Sequence, residues 1–311
     1  MFVTNPDPYL MPAFRIGAFV TASIARNAKI DAGWAEYAQT YFNERFGENN
    51  WLVTKNGREA IAFTMEELNL ELTQNISILT PSHNLYISGC VTSTLSNYCQ
   101  WDREASESTA AYFVNHEFGY LFKDMVGLVN TGLPVIEDCC TTFFSQDDHH
   151  KIGLYGNYSV YSFPKFFSIQ IGGLLVGKDV GSNRKLLNKV SLTSDEINYV
   201  LKVVGFELRE VGNILQKRSE LHKYASAAFE SLGFSLRFPS EPEVVPSLLL
   251  LNNQQIIKDL PSFKNYLYAQ GIQNSVFYGE DAFFIPCHHY LSEADIDYFK
   301  FVTEQYIQVQ N

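Results

Sequence analysis

The sequence predicts an α/β fold: a large unit built on a mixed, mainly parallel sheet with helices on both faces, followed by a smaller C-terminal α/β unit. Three observations carry this. Short apolar runs alternate with helical periodicities as far as about residue 177, the pattern of a parallel sheet, whose connections are crossovers. A long helical stretch over 194–232 then precedes a second, shorter set of strand and helix signals. The chain, at 311 residues, exceeds one minimal domain, and 46% hydrophobic against 18% charged residues is enough apolar material for two cores. The boundary is placed at residue 210, giving units 1–209 and 210–311.

The elements follow in order. Pro6, Pro8 and Pro12 mark an extended opening arm, and the apolar stretch behind it, to Ile30, leaves helix and strand both open. Trp34, Tyr37, Ala38, Tyr41, Phe42 and Phe46 recur at three and four, which predicts a helix over 33–46 that stops at Gly47. Residues 51–54 read as a short strand, Asn56-Gly57 as a turn, and 58–68 as an amphipathic helix. Strands are predicted at 76–79, ending in Thr80-Pro81-Ser82, and at 111–115. A helix over 123–130 is stopped by Gly132-Leu133-Pro134, which launches a strand ending at Asp138. The pair Gly172-Gly173 opens the buried run Leu174-Leu175-Val176. Beyond the connector, strands are expected at 246–251 and 283–286 and helices at 257–269 and 292–307.

Composition excludes several classes of partner. A formal net charge of −11 argues against nucleic acid and anionic membranes, whose phosphates require clustered Lys and Arg. No apolar run approaches the roughly 18 residues that span a bilayer, and no basic segment precedes an apolar block at the N-terminus, so a soluble cytoplasmic protein is expected. Five cysteines, an odd number without metal-ligand spacing, fit reduced thiols. His149-His150 and Cys287-His288-His289 do not make a metal site, because adjacent histidines cannot readily converge on one ion; no metal is expected.

The chemistry concentrates on two residues. Lys165 stands in Ser162-Phe163-Pro164-Lys165-Phe166-Phe167, an apolar setting that favours a nucleophilic amine over a solvated surface lysine. Asp138 ends an apolar strand, where open α/β sheets build their sites, although an aspartate there also serves as a turn former. A strand-end acid and a lysine after the next strand are the two protein groups that pyridoxal phosphate needs. Asn56-Gly57-Arg58 opens a helix, where backbone amides can hold a phosphate.

Four ordered segments, 55–61, 114–119, 135–140 and 153–176, with 27 positions from Asp138 to Lys165, resemble the DegT-type sugar aminotransferases of the fold-type I pyridoxal-phosphate enzymes. The resemblance implies that Lys165 carries pyridoxal 5'-phosphate and moves a proton, and that Asp138 pairs with its ring nitrogen. It implies that Asn56, Gly57 and Arg58 cradle the phosphate, with a hydroxyl from Ser162 or, alternatively, Ser159. His83 or Tyr86 would stack on the ring, and His116 would line the site. The implied activity is amino transfer, from glutamate to a nucleotide-linked keto sugar, by a homodimer in surface polysaccharide or related glycoside synthesis. Lys165 argues against the family's dehydratase branch, in which histidine replaces it.

Departures from the pattern are also legible. Ser162 precedes Lys165 by less than the family spacing, and Thr141 stands where glutamine or histidine is usual. Between Gly173 and Arg218 there is no counterpart of the glycine-asparagine-arginine stretch with which a partner subunit completes the site. These departures imply altered nucleotide-sugar binding, with the Phe277-Tyr278 and Cys287-His288-His289 loops as substitutes, or alternatively a relative without pyridoxal-phosphate chemistry that acts as a binding or structural subunit.

Overall fold

The computed structural model describes residues 12–84 and 86–310; the first part of the expected arm, with Pro6 and Pro8, lies outside the described residues. Its centre is a seven-stranded sheet of β1 (Trp51–Thr54), β2 (Asn75–Leu79), β3 (Gln100–Asp102), β4 (Thr109–Asn115), β5 (Val135–Asp138), β6 (Tyr158–Ser162) and β7 (Gly173–Gly177), in the order β1-β7-β6-β5-β4-β2-β3. Strands β3, β2, β4, β5 and β6 are mutually parallel. Strand β7 runs opposite to these and pairs antiparallel with both β6 and β1, so β1 at the edge points the same way as the parallel strands. Strands β5 and β7 are buried throughout, as strands covered on both faces must be. Successive residues serve opposite cores: Leu174 and Val176 pack with Phe42 and Val200, while Leu175 packs with Ala60 and Phe63.

Helices α1 (Ala22–Ala28), α2 (Trp34–Phe46), α3 (Gly57–Leu68), α4 (Gly89–Leu95), α5 (Met125–Asn130), α6 (Arg184–Leu187), α7 (Ser194–Arg209) and α8 (Val211–Glu230) surround and continue this unit. The stretch 194–232, expected as one helical connector, is two helices meeting at Glu210, and a capping box between Thr193 and Glu196 fixes the start of α7. The opening apolar stretch, open between helix and strand, contributes α1. Helix α4 and strand β3 were not expected, because GCVTSTL has no apolar period and QWD is too short and polar to read as a strand.

Helices α2 and α7 pack backbone to backbone. A Cβ on Gly205 would stand 1.9 Å from the Trp34 carbonyl oxygen and 3.1 Å from Ala38 N. Only a residue without a side chain allows that approach, so Gly205→Ala must push the helices apart. The expected cost is about 3 kcal/mol, at the upper end for overpacking because the obstruction is backbone, read as a lowered midpoint in urea unfolding with unchanged slope.

The C-terminal unit is a four-stranded antiparallel sheet of β8 (Ser235–Leu236), β9 (Leu248–Asn252), β10 (Ser275–Val276) and β11 (Ala282–Pro286), in the order β10-β11-β9-β8. Leu221, Ala225 and Phe229 of α8, Phe263 and Leu267 of α9 (Leu260–Ala269), and Ile296 and Phe299 of α10 (Glu293–Gln310) bury its apolar face. The entering chain joins this unit too: Phe14 bridges Ile272 in parallel and packs edge-on against Phe299. Among the described residues no helix is long and apolar enough to cross a membrane.

Candidate active site

Because β4, β5 and β6 are parallel, their C-terminal ends share one edge of the sheet, where Asn115, Asp138 and Ser162 lie. The chain then turns through a 3₁₀ segment, Phe163–Lys165, and returns antiparallel as β7. The turn is held by its aromatic neighbours. Phe163, Phe166 and Phe167 are all buried, and Phe163 stacks on Phe42 at 5.9 Å with an interplanar angle of 2°. Gly172 accepts from Phe163 N (3.1 Å) and donates to Lys55 O (2.7 Å). Its φ of +106° and the lack of room for a Cβ beside Val200 and Phe163 together require glycine. Lys165 is the polar residue of this anchored turn, half-buried and lining a cavity of about 290 Å³.

Asp138 lines the same cavity and is 4% exposed. Asn115 Nδ2 donates to its Oδ2 (2.8 Å) and Cys140 N to its Oδ1 (3.0 Å), which fixes the carboxylate plane. Burial pushes the Asp138 carboxyl up from its ordinary range, and these donors together with His116 only partly offset that. The site is therefore a buried carboxylate that a neighbouring cation would stabilise.

Opposite, Asn56, Gly57 and Arg58 line the cavity at the start of α3. Asn56 is the N-cap, its Oδ1 accepting from Glu59 N (3.0 Å), and Gly57 and Arg58 are the preceding residues of that first turn. A Cβ on Gly57 would come within 2.7 Å of Cys140 Sγ and 3.6 Å of Ser162 Cβ, so the missing side chain lets the helix start abut the ends of β5 and β6. Ser162 also lines the cavity, whereas Ser159 is buried and donates to Gly153 O (2.8 Å).

The two ring-stacking candidates separate. Tyr86 lines the cavity and packs against Phe118, Phe277 and Phe284. His83 is exposed, has a left-handed backbone (φ +56°) and is not part of the cavity lining; its place in the turn after β2 points it elsewhere. His116 likewise stands behind the wall. It is fully buried, its Nδ1 accepts from Phe122 N (3.1 Å), and its Nε2 must therefore carry the proton that it shares with Glu137 Oε2 (3.4 Å). Glu137 also accepts from the amides of Gly153, Tyr155 and Gly156, and so sets the turn leading into β6. His116, Glu137 and Cys139 lie within 4.8 Å of one another, but these hydrogen bonds occupy the histidine and the carboxylate, which leaves no open ligand set for a metal.

The structure adds residues that the sequence did not single out: Glu117 and Phe118 after β4, Phe284 from β11 and Ile16 from the entering arm. Of the C-terminal loops expected near substrate, Phe277 reaches Tyr86, whereas His288 Nε2 donates to Arg15 O (3.1 Å) and His289 accepts from Arg218 Nε, away from the cavity.

A helix start closed against two strand ends, a buried acid and a lysine around one cavity fit pyridoxal phosphate: Gly57 lets the amides at the start of α3 close up against Cys140 and Ser162 at the cavity, and Asp138 is a carboxyl whose burial a protonated ring nitrogen would offset. The fold is that of the aminotransferase TlmJ from Streptoalloteichus hindustanus (TM-score 0.74, 15% identity, 96% of this chain and 100% of that one). It is also that of a putative sugar aminotransferase, Spr1654, from Streptococcus pneumoniae (TM-score 0.70, 14% identity, 96% and 98%). The sugar aminotransferase CalS13 from Micromonospora echinospora superposes comparably (TM-score 0.67, 15% identity, 95% and 99%). No curated protein matches the chain in sequence. The model of one family matches residues 106–295, more than half of the chain and including Asp138 and Lys165, and the protein belongs to that family, the DegT/DnrJ/EryC1/StrS aminotransferases.

Proposed function

We propose that this protein is a pyridoxal-phosphate-dependent aminotransferase that moves an amino group from glutamate to a keto sugar, carried on a nucleotide, for surface polysaccharide or a related glycoside. The observation that carries this is the placement of Lys165 and Asp138 on one cavity whose far side is the start of α3. Bound there, pyridoxal phosphate supplies an electron sink for the carbon that exchanges its amino group. Lys165 is the base: its Nζ, on a turn that Phe163, Phe166 and Phe167 immobilise, takes and returns the proton at the substrate carbon. Asp138 holds a positive ring nitrogen, Gly57 and Arg58 N–H with the Ser162 hydroxyl hold the phosphate, and Tyr86 covers the ring. Thr141 accepts from Phe118 N (3.0 Å) and donates to His116 O (3.1 Å), which keeps the wall beside Asp138 in place. The protein acts as a cytoplasmic homodimer.

The test is reconstitution. Protein incubated with pyridoxal phosphate should acquire a visible absorption band that borohydride bleaches, glutamate should discharge it, and a panel of free and nucleotide-linked keto sugars should restore it. Light scattering should report a dimer. The compact 3₁₀ turn between Ser162 and Lys165 favours a second reading, a cofactor-free binding subunit. A protein that remains colourless decides for that reading, and discharge by glutamate without restoration by any keto sugar refutes the acceptor class alone.

A further inference from the structure

Glu117 belongs to the cavity but to none of the roles above. It follows β4 two residues after Asn115, is only 2% exposed, and lines the cavity together with Lys165 and Asp138. One of its oxygens, Oε2, accepts from Ser82 N (3.0 Å). The other, Oε1, is buried and has no hydrogen-bond partner. A buried carboxylate oxygen without a donor is costly, and native structures seldom retain one without a use. Arg237, the cation whose charge acts on Glu117, does not supply the donor: it gives Nη1 to Glu280 and Nη2 to Ser82 Oγ (3.1 Å) and lies over the Phe277 ring at 4.3 Å. Burial pushes the Glu117 carboxyl up, Ser82 and Arg237 pull it down, and Glu280 adds to the rise.

The surroundings specify what the donor is. Tyr86, Phe118 and Phe284 pack on one another and line the same cavity, and Phe118 is fixed there in a left-handed conformation (φ +53°) that a bulky residue rarely adopts. Two buried carboxylates, Asp138 and Glu117, disfavour an anionic group against this wall. Apolar faces beside an unengaged acceptor suit a ring with C–H faces and hydroxyl edges.

We propose that Glu117 is a specificity-determining residue, its free oxygen accepting a hydrogen bond from a hydroxyl of a neutral polyhydroxylated ring, a sugar. This rests on the aminotransferase reading above and adds to it the residue that selects the acceptor. Glu117→Gln is the discriminating substitution, since the amide oxygen still accepts from Ser82 N while the position of the free oxygen becomes a donor. Protein loaded with pyridoxal phosphate is titrated with ring amino sugars bearing the amine at carbon 2, 3 or 4, and with cyclohexylamine, a ring amine without hydroxyls. Dissociation constants are read from the change in the visible band.

The wild type should prefer at least one amino sugar over cyclohexylamine by about tenfold or more, the scale of one hydrogen bond to a charged group. Glu117→Gln should remove most of that preference while leaving cyclohexylamine binding and cofactor affinity within twofold. Glu117→Asp, which keeps the charge but withdraws the oxygen, should behave likewise and stands in if the glutamine variant loads poorly. An unchanged preference in both variants, no preference in the wild type, or equal weakening of all amines would overturn the proposal, the last showing that Glu117 only secures Ser82 or balances Arg237. A wild type that takes up no cofactor removes the aminotransferase reading as well, so the two failures are told apart.

Discussion

Lys165→Ala should abolish amino transfer and the borohydride-sensitive visible band together. On the proposed reading the two effects share a cause: Nζ would be both the attachment point and the base, and no other lysine among the described residues lines the cavity. Loss of a positioned general base alone lowers turnover by about 10²- to 10⁴-fold, and loss of the attachment point comes on top of it. Stability should hardly change, because the turn is held by Phe163, Phe166 and Phe167 and by the Phe163–Gly172 hydrogen bond rather than by the ammonium. An added small amine, which can serve as a mobile base, should return part of the rate. A Lys165→Ala protein that retains full turnover would remove this residue from the chemistry and the reading with it.

Asp138→Asn should produce a different failure. The cofactor still binds, since the start of α3 and Ser162 are untouched, but turnover falls by about 10²- to 10³-fold, the usual loss when a preorganised electrostatic partner is removed. The amide has one oxygen where the carboxylate has two, so Asn115 Nδ2 and Cys140 N can no longer both be satisfied in their present positions. Gly57→Val, examined in parallel, should do the reverse. Its side chain collides with Cys140 Sγ at the cradle, so cofactor is retained poorly while the residual bound fraction turns over. Equilibrium dialysis against pyridoxal phosphate, paired with single-turnover rates, separates the two. Full activity in Asp138→Asn would mean that the ring does not lie against this carboxylate.

What could be read from the sequence was local. Asp138 closes an apolar run, Asn56-Gly57 separates a strand from a helix, and Lys165 sits between aromatics and a glycine pair; each signal needs no more than a dozen neighbouring residues. The strand and helix alternation likewise gave the sheet and its faces. Orientation was not legible, because the period of a strand is the same in either direction, so nothing marked β7 as the reversed strand of the mixed sheet. Pairings across the chain were hidden for the same reason. Asn115 holds Asp138 because the two are opposed in the parallel register of β4 and β5, and Phe284 reaches the cavity from a separate sheet. The choice between His83 and Tyr86 turned on backbone direction after β2, which composition does not encode. Glu117 looked like any charged residue after a strand until its burial was known.

The segment just past Lys165 is tied to the beginning of the chain. Asn27 Nδ2 donates to Ser168 O (2.7 Å) across 141 positions, Ser23 shares a hydrogen bond with the Ser168 hydroxyl, and Glu207, which accepts from Ser168 N (3.0 Å), is paired with Arg26. The lysine turn is thus held from the beginning of the chain as well as from its own neighbours, although it lies mid-chain. A fusion or nick near α1 should loosen that turn while leaving the strand pairings of the central sheet intact. Assays on N-terminally modified protein thus report on the attachment of α1 as much as on the chemistry.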